Sequence, residues 1–352
     1  MRSVHSYLIG ILLFITFSTC TRSNDKHFVF QGVLTEERNF IIPQAFVPID
    51  IHIRDNYLIL SQTNTPNHMP DIFFQAYSLS DYTYQGSFGR KGRGPGEWIL
   101  PEIVQSSGSS PYLYLWDVSS QQSTALIHKM TLDSTMQLKE VGLFSVDKGY
   151  CYMNRPVISR DSLLVFNEFP PEPAVRVHHL SQDVPVITWK WGTLPLQQLL
   201  YDENRGILLA NDSCVVYLYR YQDKIDFMDW SLKLKKRLNY QKDRPVIGKD
   251  QSDNVLFYGQ SFLGEHFLYT LYIGASRNER QLSNYHGPFL EVYDLKGKPI
   301  GQYSFSGASP VVFTVDERTF NLYGYRGDDG MEDFISVYHM PELKEYLQKD
   351  NP

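Results

Sequence analysis

Three cations stand within four residues of one glycine-rich stretch, SFGRKGRGPGEW (87–98): Arg90, Lys91 and Arg93. Arginine grips a carboxylate or phosphate through two parallel hydrogen bonds, and lysine adds a mobile charge, so the stretch has the chemistry of an anion site. Two more arginines, Arg155 and Arg244, each precede a proline in similar surroundings, NRPVISRDS (154–162) and DRPVIGKDQS (243–252). Gathered on one face, the five would form a cationic ring for an anionic ligand. The plainer reading is solvated loop charge, and the sequence leaves both open.

The glycines narrow the kind of loop this is. A phosphate-binding loop needs Gly-Lys followed by Ser or Thr at a helix start, and a dinucleotide fold needs GxGxxG between strand and helix. Neither pattern is present, and no helical pattern follows. Glycines at 86, 89, 92, 94 and 96 permit positive φ and close chain approach, Pro95 stiffens the turn, and Phe88 and Trp98 are apolar wedges. That is the make-up of a corner between two strands.

Other reactive groups are scattered. His178 and His179 are adjacent in a strand-like segment, where successive side chains point to opposite faces and cannot share one metal. HExxH and GxSxG are absent. The acidic run DDGMED (328–333) lacks the alternating ligands of a calcium loop and reads as a hairpin turn. Cys151 and Cys214 have no CxxC spacing, so a disulfide and two buried thiols are both open. No catalytic residue, metal or cofactor is assigned. With 39 acidic against 33 basic residues, the chain has no general attraction to phosphate backbones, which argues against nucleic acid as a partner.

The N-terminal run YLIGILLFITF is shorter than the ~20 residues of a spanning helix and matches the apolar core of a secretory signal. FSTC then resembles the lipobox of bacterial lipoprotein signals, in which a small residue precedes a cysteine that is lipidated and becomes residue one. The resemblance implies a signal peptide over 1–19, lipid on Cys20, a tether over 20–27, and the membrane as a partner through that lipid. TRSND after the cysteine lacks a strongly acidic export run, which points to the outer membrane and its periplasmic side.

The elements that must position a site are strands. Aromatic residues make up 14% of the chain, and broad flat side chains suit a pleated surface. Short apolar runs end in turn residues at steady intervals: YLIL then SQTN, YLYLWD then VSSQQ, VVYLYRY then QDK, FLEVYDL then KGK. Six such units of roughly 50 residues each predict an all-β, six-bladed β-propeller of four-stranded blades over 28–345, with a C-terminal tail over 346–352. Ring closure by an N-terminal strand predicts that 28–34 is the outer strand of the last blade. The 87–98 stretch then leads from the rim of blade one to the inner strand of blade two, which opens at PEIV.

FGRKGRGPGEWILPEIV resembles the inter-blade signature of NHL-type propellers. With the lipobox, the length and the hairpin DLKGKPIGQYSF, the mature chain resembles the TolB-like six-bladed propeller lipoproteins of Bacteroidetes. This implies fold and envelope location but no particular activity. Two functions are open: a binding or scaffold module presenting its axial face to a protein, peptide or glycan, and a propeller hydrolase or lyase with a metal or an Asp/Glu/His set in the central channel. The latter sites gather single residues from several blades, which linear order conceals.

Overall fold

The computed structural model describes residues 26–42, 46–62, 70–106, 110–117, 124–147, 156–159, 163–168, 174–179, 187–190, 203–241, 247–248, 252–327 and 334–350. Two N-terminal strands, β1 (Phe30–Leu34) and β2 (Glu36–Ile41), precede a series of antiparallel sheets. The first holds β3 (Asp50–Arg54), β4 (Tyr57–Ser61), β5 (Ile72–Ser78) and β6 (Tyr84–Arg90). In the second are β7 (Pro101–Ile103), β9 (Leu113–Asp117), β10 (Thr124–Leu132) and β11 (Leu138–Asp147); the short β8 (Gln105–Ser106) leaves β7 to join the third. That third sheet contains β12 (Val157–Ser159), β13 (Leu163–Glu168), β14 (Ala174–His179) and β15 (Ile187–Lys190). The fourth comprises β16 (Gly206–Ala210), β17 (Val215–Tyr219), β18 (Lys224–Met228) and β19 (Leu234–Asn239). In the fifth, β20 (Leu256–Leu263) and β21 (Phe267–Ala275) are followed by helix α1 (Arg277–Arg280), β22 (Phe289–Asp294) and β23 (Pro299–Phe305). The sixth holds β24 (Val312–Asp316), β25 (Asn321–Tyr325) and β26 (Phe334–His339), and helix α2 (Pro341–Asp350) follows it.

This is an all-β propeller. Its core is not one mass but a series of seams between neighbouring sheets. Along β4, Leu58 and Leu60 face the sixth sheet, while Ile59 between them faces the second. Along β17, Val215, Tyr217 and Tyr219 face the third sheet, and Val216 and Leu218 face the fifth. Alternate side chains of a strand point to opposite faces, and in a propeller both faces are covered. Continuous apolar runs such as VVYLY follow directly, and every residue of β17 is buried. Truncating one such leucine to alanine costs about 2–5 kcal/mol.

Three expectations need correction. The strands sort into six hydrogen-bonded sheets, but two of these have five strands, and a count of regular blades reaches five rather than six. The third sheet is the least regular: β12 is three residues long and its neighbours' connecting turns lie outside the described residues.

Ring closure also differs. β2, not 28–34, pairs antiparallel with β26 at the edge of the sixth sheet. β1 lies parallel to β23 one sheet earlier, with Phe30 opposite Gly301 and Leu34 opposite Phe305. Only Thr35 separates the two strands, so one extended ribbon covers two neighbouring rims, each of which would otherwise be an open edge.

The C-terminal segment is a helix rather than a tail from 346. Leu343 is fully buried, and Tyr346 and Leu347 pack on the same cluster between the fifth and sixth sheets. Their spacing of three and four residues makes one apolar stripe, and Pro341 suits a first helical turn.

Candidate functional site

The innermost strands surround a cavity of about 390 Å³ whose lining comes from β3, β7, β8, β16, β20 and β24, together with Pro156 and Val157. On β3 the sequence DIHIR places Asp50, His52 and Arg54 two residues apart, so one face of this strand is polar, and all three line the cavity. Gln105, Ser106, Gln260, Ser261 and Thr314 add amides and hydroxyls, and Arg220 adds a second guanidinium.

These groups differ in how far the protein already satisfies them. Asp50 is buried, and its Oδ1 accepts the Ile51 N–H at 2.9 Å. His52 Nε2 lies 3.4 Å from Asp50 Oδ2 but makes no hydrogen bond. Burial, with the nearby Arg54 charge second, lowers the imidazole pKa to about 3, so His52 is neutral at pH 7 and the pair is not an ion pair. Arg54 donates to the Ser110 carbonyl, just before β9 of the second sheet, and to Ser106 Oγ on β8 of the third, tying the first sheet to both.

Arg220 follows β17, where its N–H donates to the Arg205 carbonyl at 2.7 Å and its own carbonyl accepts the Phe257 N–H at 2.9 Å. The backbone is thus clamped between the fourth and fifth sheets. The half-buried guanidinium has no hydrogen-bonding or ion-pair partner among the described residues. Burial and, after it, the Arg205 charge lower its pKa, the signature of a cation short of compensation. Two guanidinium groups against one carboxylate leave the lining with a positive excess.

The sequence-predicted cations lie elsewhere. Arg90 ends β6 and is exposed, Lys91 is half-buried and Arg93 is exposed; none of the three lines the cavity. The register Asp50 to Ser61, Ser61 to Phe74 and Phe74 to Phe88 nevertheless puts Arg90 at the same end of the first sheet as Asp50. Arg155, Arg244 and Cys20 lie outside the described residues, as do Cys151 and DDGMED.

The corner reading of 87–98 agrees with the geometry. The chain leaves β6, and Arg90 O accepts the Trp98 N–H at 2.8 Å before β7 begins. Gly89 has φ +73°, and a Cβ there would stand 2.5 Å from the Phe74 ring. Glu97 accepts the Gly94 N–H at 2.9 Å and closes the turn. Phe88 and Trp98 are both buried in the seam between the first and second sheets.

Asp50, His52, Arg54 and Arg220 were not singled out from sequence. The alternation of polar groups in DIHIR was a readable signal. Arg220 had none, because its role depends on a neighbouring sheet. Among the described residues no group of three or more His, Cys, Asp or Glu could hold a metal ion. Cys214 is a buried free thiol whose pKa burial pushes up to about 12. No helix of the described residues is long and apolar enough to cross a membrane.

The fold and cavity define the class: an all-β propeller with a polar, cationic axial pocket. No protein-family model matches the chain, and no curated protein matches it in sequence. Among solved structures it is similar to a member of the DUF4221 family from Bacteroides vulgatus, with a TM-score of 0.60 and 11% identity over 87% of this chain and 97% of that one. It is also similar to a candidate exported protein from Bacteroides fragilis, with a TM-score of 0.51 and 12% identity over 88% and 98%. At such identities the likeness concerns fold alone. The chain shares the propeller architecture of these Bacteroides proteins.

Proposed function

We propose that this chain is an envelope binding module, held by lipid on Cys20 at the periplasmic side of the outer membrane. It would take an anionic group of a protein, peptide or glycan ligand in the axial cavity of the propeller. One observation carries the reading: Arg220, with no partner among the described residues, adds a guanidinium to a lining in which Arg54 and Asp50 otherwise balance, and so makes the cavity net positive. A desolvated cation without a partner is costly, and an incoming carboxylate or phosphate removes that cost with a bidentate pair.

Arg90, Lys91 and Arg93 extend this reading outward. They stand at the Asp50 end of the first sheet, where an elongated ligand leaving the cavity would pass. The glycine corner at 87–98 supports kinship with NHL-type and TolB-like propellers, and the likeness to a candidate exported protein of Bacteroides fragilis supports an envelope location.

The test is titration calorimetry with acidic peptides, uronate oligosaccharides and sugar phosphates, on the wild type and Arg220→Met. Saturable binding by one class, weakened at least tenfold in the variant, supports the proposal; equal binding by both proteins refutes it. Detergent phase partition of the wild type and Cys20→Ala tests the anchor. A hydrolase or lyase reading is favoured by one feature only, the neutral His52 beside Asp50 in the same cavity. It requires that His52→Gln abolish turnover while leaving ligand affinity intact.

A further inference from the structure

Away from the axis, Lys26 reaches into the seam between the fourth and fifth sheets, with its side chain 11% exposed. Its Nζ lies 3.0 Å from Asp223 Oδ1, and 3.0 and 3.3 Å from Glu291 Oε2 and Oε1. The ammonium sits 3.6 Å from the centroid of the Tyr272 ring, with Tyr240 and Tyr258 at 5.1 and 5.4 Å. Two carboxylates and three aromatic rings therefore converge on one cation.

The walls of this site are held without help from the lysine. Tyr258 OH donates to Asp223 Oδ1 at 2.6 Å, and Tyr272 OH to Oδ2 at 3.2 Å. Tyr293 OH donates to Glu291 Oε2 at 2.6 Å, and Gln302 Nε2 to Oε1 at 3.3 Å. Glu291 is fully buried, and that burial raises its pKa against the opposing pull of Lys26. Without a cation, two carboxylates would share a desolvated space, so the pocket demands a positive occupant. Three carboxylate oxygens within reach match the three N–H donors of a primary ammonium, and the ring faces add cation–π attraction.

We propose that this seam is a receptor for a primary alkylammonium group, and that Lys26 is the ligand it holds in this chain. Lys26 lies four residues before β1, so the receptor fastens the ribbon that covers the fifth and sixth rims. Phe28 packs edge-on to Tyr293 directly beside the pocket, and Ser306 N–H closes onto the Leu34 carbonyl at the ribbon's far side. A primary amine in solution has the chemistry to fill the same pocket when the lysine side chain is removed.

Chemical rescue tests this in the full chain. Lys26→Ala leaves the carboxylates unpaired and should lower Tm by several degrees. Adding n-butylammonium chloride should restore about 2 °C or more in a saturable manner, beyond any effect of equal n-butanol or sodium chloride. The gain should vanish in Lys26→Ala/Glu291→Gln. Where Lys26→Ala does not fold unaided, the readout is refolded yield with butylammonium against butanol. An unchanged Tm in Lys26→Ala, or no butylammonium-specific gain in either Tm or yield, overturns the proposal.

Discussion

His52 stands two residues from Asp50 on β3, with 3.4 Å between Nε2 and Oδ2, and yet it is an uncharged neighbour rather than a paired one. Its pKa falls to about 3 in the fold from an ordinary 6.5. Between those values the unfolded chain binds a proton that the native chain refuses. Stability from this group is therefore complete above pH 6.5 and is lost as pH falls, by up to about 1.4 kcal/mol per pH unit. Urea unfolding at pH 7, 6, 5 and 4 should show a shallower decline for His52→Gln than for the wild type. Parallel declines would exclude this origin.

Arg220 and Arg54 line one cavity but should respond oppositely to removal. Arg220→Met deletes a half-buried charge with no partner among the described residues, so Tm should hold or rise while affinity for an anionic ligand falls. Arg54→Met deletes donors to Ser110, before β9, and to Ser106 on β8, and should cost about 2 kcal/mol by denaturant unfolding. Equal losses from both would remove the distinction between a site group and a structural one.

The turn between β20 and β21 depends on a side chain from the sixth sheet. Glu317 accepts the N–H groups of Glu265, His266 and Phe267 at 2.7, 2.9 and 3.1 Å. Glu317→Ala leaves three donors without this acceptor and should destabilise the protein by about 2–3 kcal/mol. Amide hydrogen exchange at 265–267 should quicken first, before global unfolding.

Two glycines of the 87–98 corner separate backbone strain from crowding. Gly89 and Gly96 have φ of +73° and +75°, but a Cβ on Gly89 would strike Phe74 at 2.5 Å while one on Gly96 meets nothing within 4 Å. Gly96→Ala should cost about 1 kcal/mol and Gly89→Ala clearly more. Comparable thermal shifts for the two variants would contradict the close packing of this corner.

The propeller class was legible because strands buried on both faces write unbroken apolar runs, as in YLIL and VVYLY. Ring closure was not, because β1 and β2 lie on rims and expose most of their residues, so neither carries a pattern that names its partner. The helix α2 did leave a stripe in Leu343, Tyr346 and Leu347, too short to stand out from a polar terminus. The cavity residues on β3 alternate in plain view as DIHIR. Arg220 and Lys26 acquire meaning only from groups on other sheets, and a linear reading offers no means of joining them.

The burial of Lys26 also sets a length. Six residue steps join it to Cys20, and a chain extends by at most about 3.5 Å per step. With the proposed lipid on Cys20, the seam between the fourth and fifth sheets is moored within about 20 Å of the bilayer, by its flank and on a short line.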